Sequence, residues 1–154
     1  MATFAERYST EEKTNLPSRL TAVLRRAPLV MMTVIFTMIS ARYLVNPVHS
    51  AAIQGIAFTT PGGVTVARIG FGAFPLALAI LAFGCLISAR RLLAGLYMVF
   101  TVISVVIAIR LAGIVVDHSA HEAARLLAPE FVLLTLSVIA LRLESARRRT
   151  QPQG

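Results

Sequence analysis

The sequence predicts an all-α integral membrane protein, a four-helix bundle with both termini cytoplasmic, on three observations. Four stretches, roughly Pro28 to Val45, Val64 to Ile87, Leu92 to Val116 and Ala123 to Leu141, each approach the ~20 apolar residues that cross a ~30 Å hydrocarbon core. Hydrophobic residues make up 56% of the chain and charged residues 14%, and the mean hydropathy is +0.75, which leaves too little polar surface for a soluble domain. Arginines cluster before the first stretch (Arg19, Arg25, Arg26), between the second and third (Arg90, Arg91) and after the fourth (Arg142, Arg147, Arg148, Arg149). With four crossings all three clusters share one face, which the positive-inside rule makes the cytoplasmic one.

Along the chain, residues 1–26 form a cytoplasmic tail, mixed in charge up to Asn15. Leu16, Leu20, Val23 and Leu24 then recur at helical spacing among arginines, which fits a short helix on the inner membrane surface as well as it fits an unstructured tail. A transmembrane domain over residues 27–145 follows, with spans at about 28–45, 64–87, 92–116 and 123–141. Glu6, Glu11 and Glu12 precede the first apolar run and no small-residue cleavage site follows it, so no signal peptide is expected. Asn46-Pro47 ends span one, because a residue before proline avoids the helical region, and Thr60-Pro61-Gly62-Gly63 marks a turn before span two. The outer loop between them has room for one short apolar turn around Ile53 to Phe58. Ser119-Ala120-His121-Glu122 has capping-box spacing for the start of helix four. Pro75 and Pro129 each remove a backbone hydrogen bond and are expected to kink their helices. Residues 146–154 form a basic cytoplasmic tail.

In lipid, helices associate through close packing and polar contacts, so small residues should mark the contact faces. Ser104, Ala108 and Ala112 in span three, and Ala73, Ala77, Gly84 and Ser88 in span two, form such stripes. Gly70 and Gly72 follow no strand, so they read as points of close helix approach rather than as a phosphate loop. The single cysteine, Cys85, excludes an intramolecular disulfide and a thiolate metal cluster. The net charge of +8 sits beside apolar spans with no basic stripe interleaved with aromatics, which excludes nucleic acid as the partner.

Candidate chemistry gathers near the outer ends of the helices. Arg68 lies one turn into span two, Arg110 near the end of span three and Glu130 in the outer part of span four. Counted from Ala120 at the hairpin tip, Arg110 and Glu130 are equally distant, so a rise of ~1.5 Å per residue sets them at the same depth, where they can meet. A charge at the membrane centre costs about 2.5 to 3.5 kcal/mol on insertion scales, so each needs a partner or water. The polar cluster is therefore Arg68, Arg110, Asp117, His121 and Glu130, with Tyr43 at its rim. A purely structural ion pair and a working site are equally compatible with these positions. Arg42 is close enough to the boundary to snorkel. Asp117, His118, His121 and Glu122 hold metal-ligand chemistry, but their spacing matches no zinc motif, so neither a metal nor another cofactor is expected. His49 reads as a solvated loop residue.

Ser40-Ala41-Arg42-Tyr43-Leu44-Val45-Asn46-Pro47, Ala67-Arg68-Ile69-Gly70-Phe71-Gly72, Arg110-Leu111-Ala112-Gly113-Ile114-Val115-Val116-Asp117 and Pro129-Glu130-Phe131 resemble the pattern of a small bacterial membrane family, domain of unknown function 4345. The resemblance covers about Leu29 to Leu143. It implies a four-helix protein of the bacterial cytoplasmic membrane with Arg68, Arg110, Asp117 and Glu130 at the family's polar positions, and it implies no activity. His118 departs from the glycine that follows the aspartate in that pattern. The reading needing fewest assumptions is a non-enzymatic accessory or lipophile-binding protein. The alternatives are a small membrane enzyme acting on a lipid-like substrate, with Glu130 as acid or base, and an oligomeric proton-coupled carrier. Membrane lipids are the expected partners, and a lipophilic small molecule, a second copy of the chain and another membrane protein stay open.

Overall fold

A computed structural model describes the backbone of residues 4–117 and 120–150 and the side chains of residues 19–116 and 126–149. The described residues are nearly all helical and include no strand. Helix α1 spans Phe4–Val45, α2 Pro47–Ala52, α3 Pro61–Ala67, α4 Phe74–Leu86, α5 Leu92–Asp117 and α6 Ala120–Thr150, and a π-helical segment, Arg68–Ala73, joins α3 to α4. Four helical stretches are long and apolar enough to cross a membrane: Arg19–Val45, Pro61–Leu86, Leu92–Val116 and Leu126–Arg149. The shortest has 24 residues, or about 36 Å at ~1.5 Å per residue.

Several boundaries differ from the sequence reading. Residues 16–24, read as an interfacial helix or an unstructured tail, lie inside α1, which continues without interruption through Pro17 and Pro28. The short element of the first loop is α2, earlier than Ile53 to Phe58, because Asn46 caps it by accepting from the His49 amide (3.3 Å) and Pro47 starts it. Its exit turns on Gly55, whose φ of 74° is a left-handed conformation that favours glycine. Thr60 caps α3, its hydroxyl accepting from the Gly63 amide (3.2 Å), with Pro61 at the first position. Residues 146–150, read as tail, are the last turn of α6. That helix also runs through Pro129 as one element. Ser119 of the expected capping box lies outside the described residues.

Pro75 has a local consequence. Its ring would collide with the carbonyl four residues back in a regular helix, and it has no N–H to donate. The chain widens by one residue per turn just before it, so the Phe74 amide donates to Ile69 rather than to Gly70. The Gly72 carbonyl in this wide turn is buried and accepts the Ser40 hydroxyl of α1 at 2.6 Å. A Cβ on Gly72 would fall 2.8 Å from a Leu44 methyl, so glycine is what lets α1 approach there. Gly70 faces open space, which removes it from the expected close approach.

The chain divides into two compact units, Met1–Pro28 with Phe100–Gly154, and Leu29–Val99. In the second unit Leu29, Met32, Ser40, Ala79, Ala82, Leu92, Leu96 and Val99 are buried. Gly95 of α5 sits against α4: a Cβ there would lie 2.5 Å from the Cys85 Cβ and 3.0 Å from Leu29. In the first unit the buried face of α6 is Leu133, Ser137, Ala140 and Glu144. The buried positions of α5 are Leu92, Gly95, Leu96, Val99, Ile103 and Ile107, the aliphatic ones following one another by four, three, four and four residues. The small-residue stripes expected to pack do not: Ala73, Ala77, Ala108 and Ala112 are exposed, and Gly84, Ser88 and Ser104 are half-buried. Medium-sized aliphatic side chains, not the smallest ones, fill the face of α5.

Candidate functional site

Arg110 and Glu130 extend the two buried stripes of their unit. Arg110 follows Ile107 by three residues on α5, and Glu130 precedes Leu133 by three on α6, so helical periodicity turns both toward the same side as the buried aliphatics. They meet there. Arg110 Nε donates to Glu130 Oε1 (3.0 Å) and Oε2 (2.9 Å), and Nη2 donates to Oε1 at 2.6 Å. The side chains retain 26% and 13% of their surface, so the pair is largely but not wholly enclosed. Both carboxylate oxygens are engaged by one guanidinium, the fork geometry that makes arginine a stronger and more directional partner than lysine.

The other expected members of the cluster separate by unit. Arg68 opens the π-helical segment and is exposed. Tyr43 is buried near the end of α1; its ring packs on Phe71 with centroids 5.0 Å apart and planes tilted by 33°, and its hydroxyl donates a long hydrogen bond to the Ser50 carbonyl (3.5 Å). It is a packed residue of the Leu29–Val99 unit, as Arg68 is a surface residue of it. Asp117 ends α5 and His121 lies in the first turn of α6, and both side chains, with those of His118 and Glu122, fall outside the described residues. The expectation about metal at these four positions falls outside them too. Among the described residues no three metal-ligating side chains come together.

A second charged centre was not anticipated from the sequence. Glu144, on the α6 stripe, is fully buried and accepts from three arginines: Arg25 Nη1 to Oε2 (3.0 Å), Arg147 Nη2 to Oε1 (3.0 Å) and Nε to Oε2 (3.2 Å), and Arg148 Nε to Oε1 (3.0 Å). Arg147 and Arg148 stand three and four residues on, the spacings at which helical side chains meet. Arg25 also donates from Nε to the Thr21 carbonyl (3.3 Å) in the preceding turn of α1. The acidic residue followed at i+3 and i+4 by arginines was a readable signal, hidden by treating the arginines only as a count of positive charge. The link from Arg25, 119 residues away, had no such signal.

Comparison with family models, curated proteins and solved structures returns no match.

Proposed function

We propose that the chain is a multi-pass protein of the bacterial cytoplasmic membrane, with both ends inside, that works by binding rather than by catalysis, as an accessory subunit or as the holder of a lipophilic molecule. The observation that carries this is the engagement of Glu130. An acid or base must bring an oxygen within hydrogen-bonding distance of the reacting atom, and here both oxygens accept from Arg110 while only 13% of the Glu130 side chain is exposed, which leaves little surface for a substrate to approach. The pair supplies the directional polar contact that helices need where lipid removes the hydrophobic drive between them. It also offers a polar head group a charge of either sign. The arginine clusters at both ends and at Arg90-Arg91 support the orientation. The resemblance to domain of unknown function 4345 belongs to the same proposal and rests on the motifs quoted for it.

Native mass spectrometry of the full chain released from lipid tests the reading. A co-purified lipophile that is lost in Arg110→Gln, or a second protein at fixed stoichiometry, is the expected result. Turnover of a lipid-like substrate that is abolished by Glu130→Gln, while the variant keeps its stability, would overturn it. A reporter fused after Gln151 checks the orientation, since strong periplasmic activity there is incompatible with an internal C-terminus.

A further inference from the structure

Beyond the Glu144 contacts, α6 carries an outward stripe that changes character along its length. Phe131, Val138, Arg142 and Arg149 are all exposed and are spaced by seven, four and seven residues, which keeps them on one side of the helix. The side is apolar at Phe131 and Val138 and cationic at Arg142 and Arg149. Relative to Glu144, Arg142 and Arg149 stand on the opposite side of the helix, away from the Arg25, Arg147 and Arg148 contacts that hold that carboxylate. Charge around them is one-sided. Over residues 19–28 and 140–149 seven arginines face one glutamate, an excess of six, and counting Glu6, Glu11 and Glu12 against Arg7 and Lys13 still leaves five.

We infer that this stripe is a binding site for an anionic phospholipid, with the phosphate held by Arg142 and Arg149 and an acyl chain lying along Val138 and Phe131. An apolar run continuous with two cations matches an amphiphile, whereas a nucleic acid or an acidic peptide would leave the aromatic and valine part of the stripe unused. Juxtamembrane arginines attract anionic head groups by about fivefold in affinity per charge. The inference rests on the membrane reading proposed above.

The test uses the full chain in nanodiscs of phosphatidylcholine with a minority of phosphatidylglycerol, and native mass spectrometry of the retained lipids. Phosphatidylglycerol is expected to be enriched over its bulk fraction. Arg142→Gln with Arg149→Gln should lower that enrichment on the order of twentyfold, from about fivefold per charge, and the double lysine variant should recover most of it. If the glutamine pair fails to accumulate, Arg149→Gln alone should still show a drop of about fivefold. Equal retention of both lipids, or an equal loss in Arg90→Gln with Arg91→Gln, would overturn the proposal, the latter by showing that the attraction is diffuse. Displacement of phosphatidylglycerol by millimolar inorganic phosphate would overturn it in favour of a soluble anion. Release of the chain from native membranes by alkaline carbonate would defeat the membrane reading itself, while an integral but unselective protein would defeat this inference alone.

Discussion

Removing either half of the Arg110–Glu130 pair should destabilise the helix pair far more than removing an exposed ion pair would. The contact is bidentate, at 2.6 to 3.0 Å, with 26% and 13% of the two side chains exposed. Two unit charges about 4 Å apart attract by ~4 kcal/mol at an effective dielectric of ~20. Part of that returns when the freed charge is hydrated through the exposed fraction. Breaking a fully buried pair costs about 3 to 5 kcal/mol, and polar contacts between helices in bilayers average ~0.6 with a maximum of ~1.7. Between these limits we expect about 2 to 3 kcal/mol for Arg110→Gln or Glu130→Gln alone, and a coupling of ~1.5 kcal/mol. The assay is reversible unfolding in bicelles of the wild type, both single variants and the double variant, read as a double-mutant cycle. Arg110→Glu combined with Glu130→Arg should recover part of the lost stability, because the pair is rebuilt in reverse. A coupling below about 0.5 kcal/mol, the error on additivity for independent sites, would refute the reasoning.

Gly95→Ala should lower stability by about 1 to 3 kcal/mol, because its methyl would meet the Cys85 Cβ at 2.5 Å, while Gly70→Ala, which meets nothing, should be neutral or slightly stabilising in the same unfolding assay. Ser40→Ala removes the hydroxyl from which the buried Gly72 carbonyl accepts and should cost about 0.5 to 1.5 kcal/mol, whereas Ser40→Thr keeps the hydroxyl and should cost less. Glu144→Ala removes the carboxylate shared by three arginines and should cost about 1 to 3 kcal/mol, less than a dry pair because Arg147 and Arg148 are over one-third exposed and rehydrate, seen as a lower thermal midpoint, and a midpoint unchanged from wild type would show the centre to be unimportant.

The apolar runs were legible because their signal is compositional and long, and four helical stretches of the expected kind lie where hydropathy sets them. The Arg110–Glu130 contact was legible as well, because the two residues stand ten positions either side of Ala120, and consecutive helices that run antiparallel bring such residues level. The route through Pro75 was readable only as a disturbance. The hydrogen bond from Ser40 to the Gly72 carbonyl, 32 residues on, has no local mark in the sequence. The packing face of α5 was misread for a physical reason: small residues permit close approach but do not require it, and Gly95, outside the Ala and Ser stripe, makes the close contact of that helix, whereas Gly72 is a point of close approach as expected.

The exposure pattern of α6 joins these observations. From Leu126 to Leu141 its exposed side chains are Leu126, Ala128, Pro129, Phe131, Val132, Thr135, Val138 and Ile139, apolar except for one threonine whose hydroxyl is spent on the Phe131 carbonyl at 2.8 Å. From Arg142 onward the exposed side chains are Arg142, Ala146, Arg148 and Arg149. The inward side runs the other way: Glu130, Leu133, Ser137, Ala140 and Glu144 begin and end on a carboxylate, about 21 Å apart at ~1.5 Å per residue. In water, a helix that turns its carboxylates inward and its phenylalanine, valines and isoleucine outward would lose on both sides. In hydrocarbon the same arrangement is favourable on both, since the carboxylates have arginine partners and the outward side meets acyl chains. On the membrane reading proposed above, the switch at Arg142 marks where the helix would leave the hydrocarbon, and Glu144, ringed by three arginines, would lie nearer the head groups than Glu130, which has one.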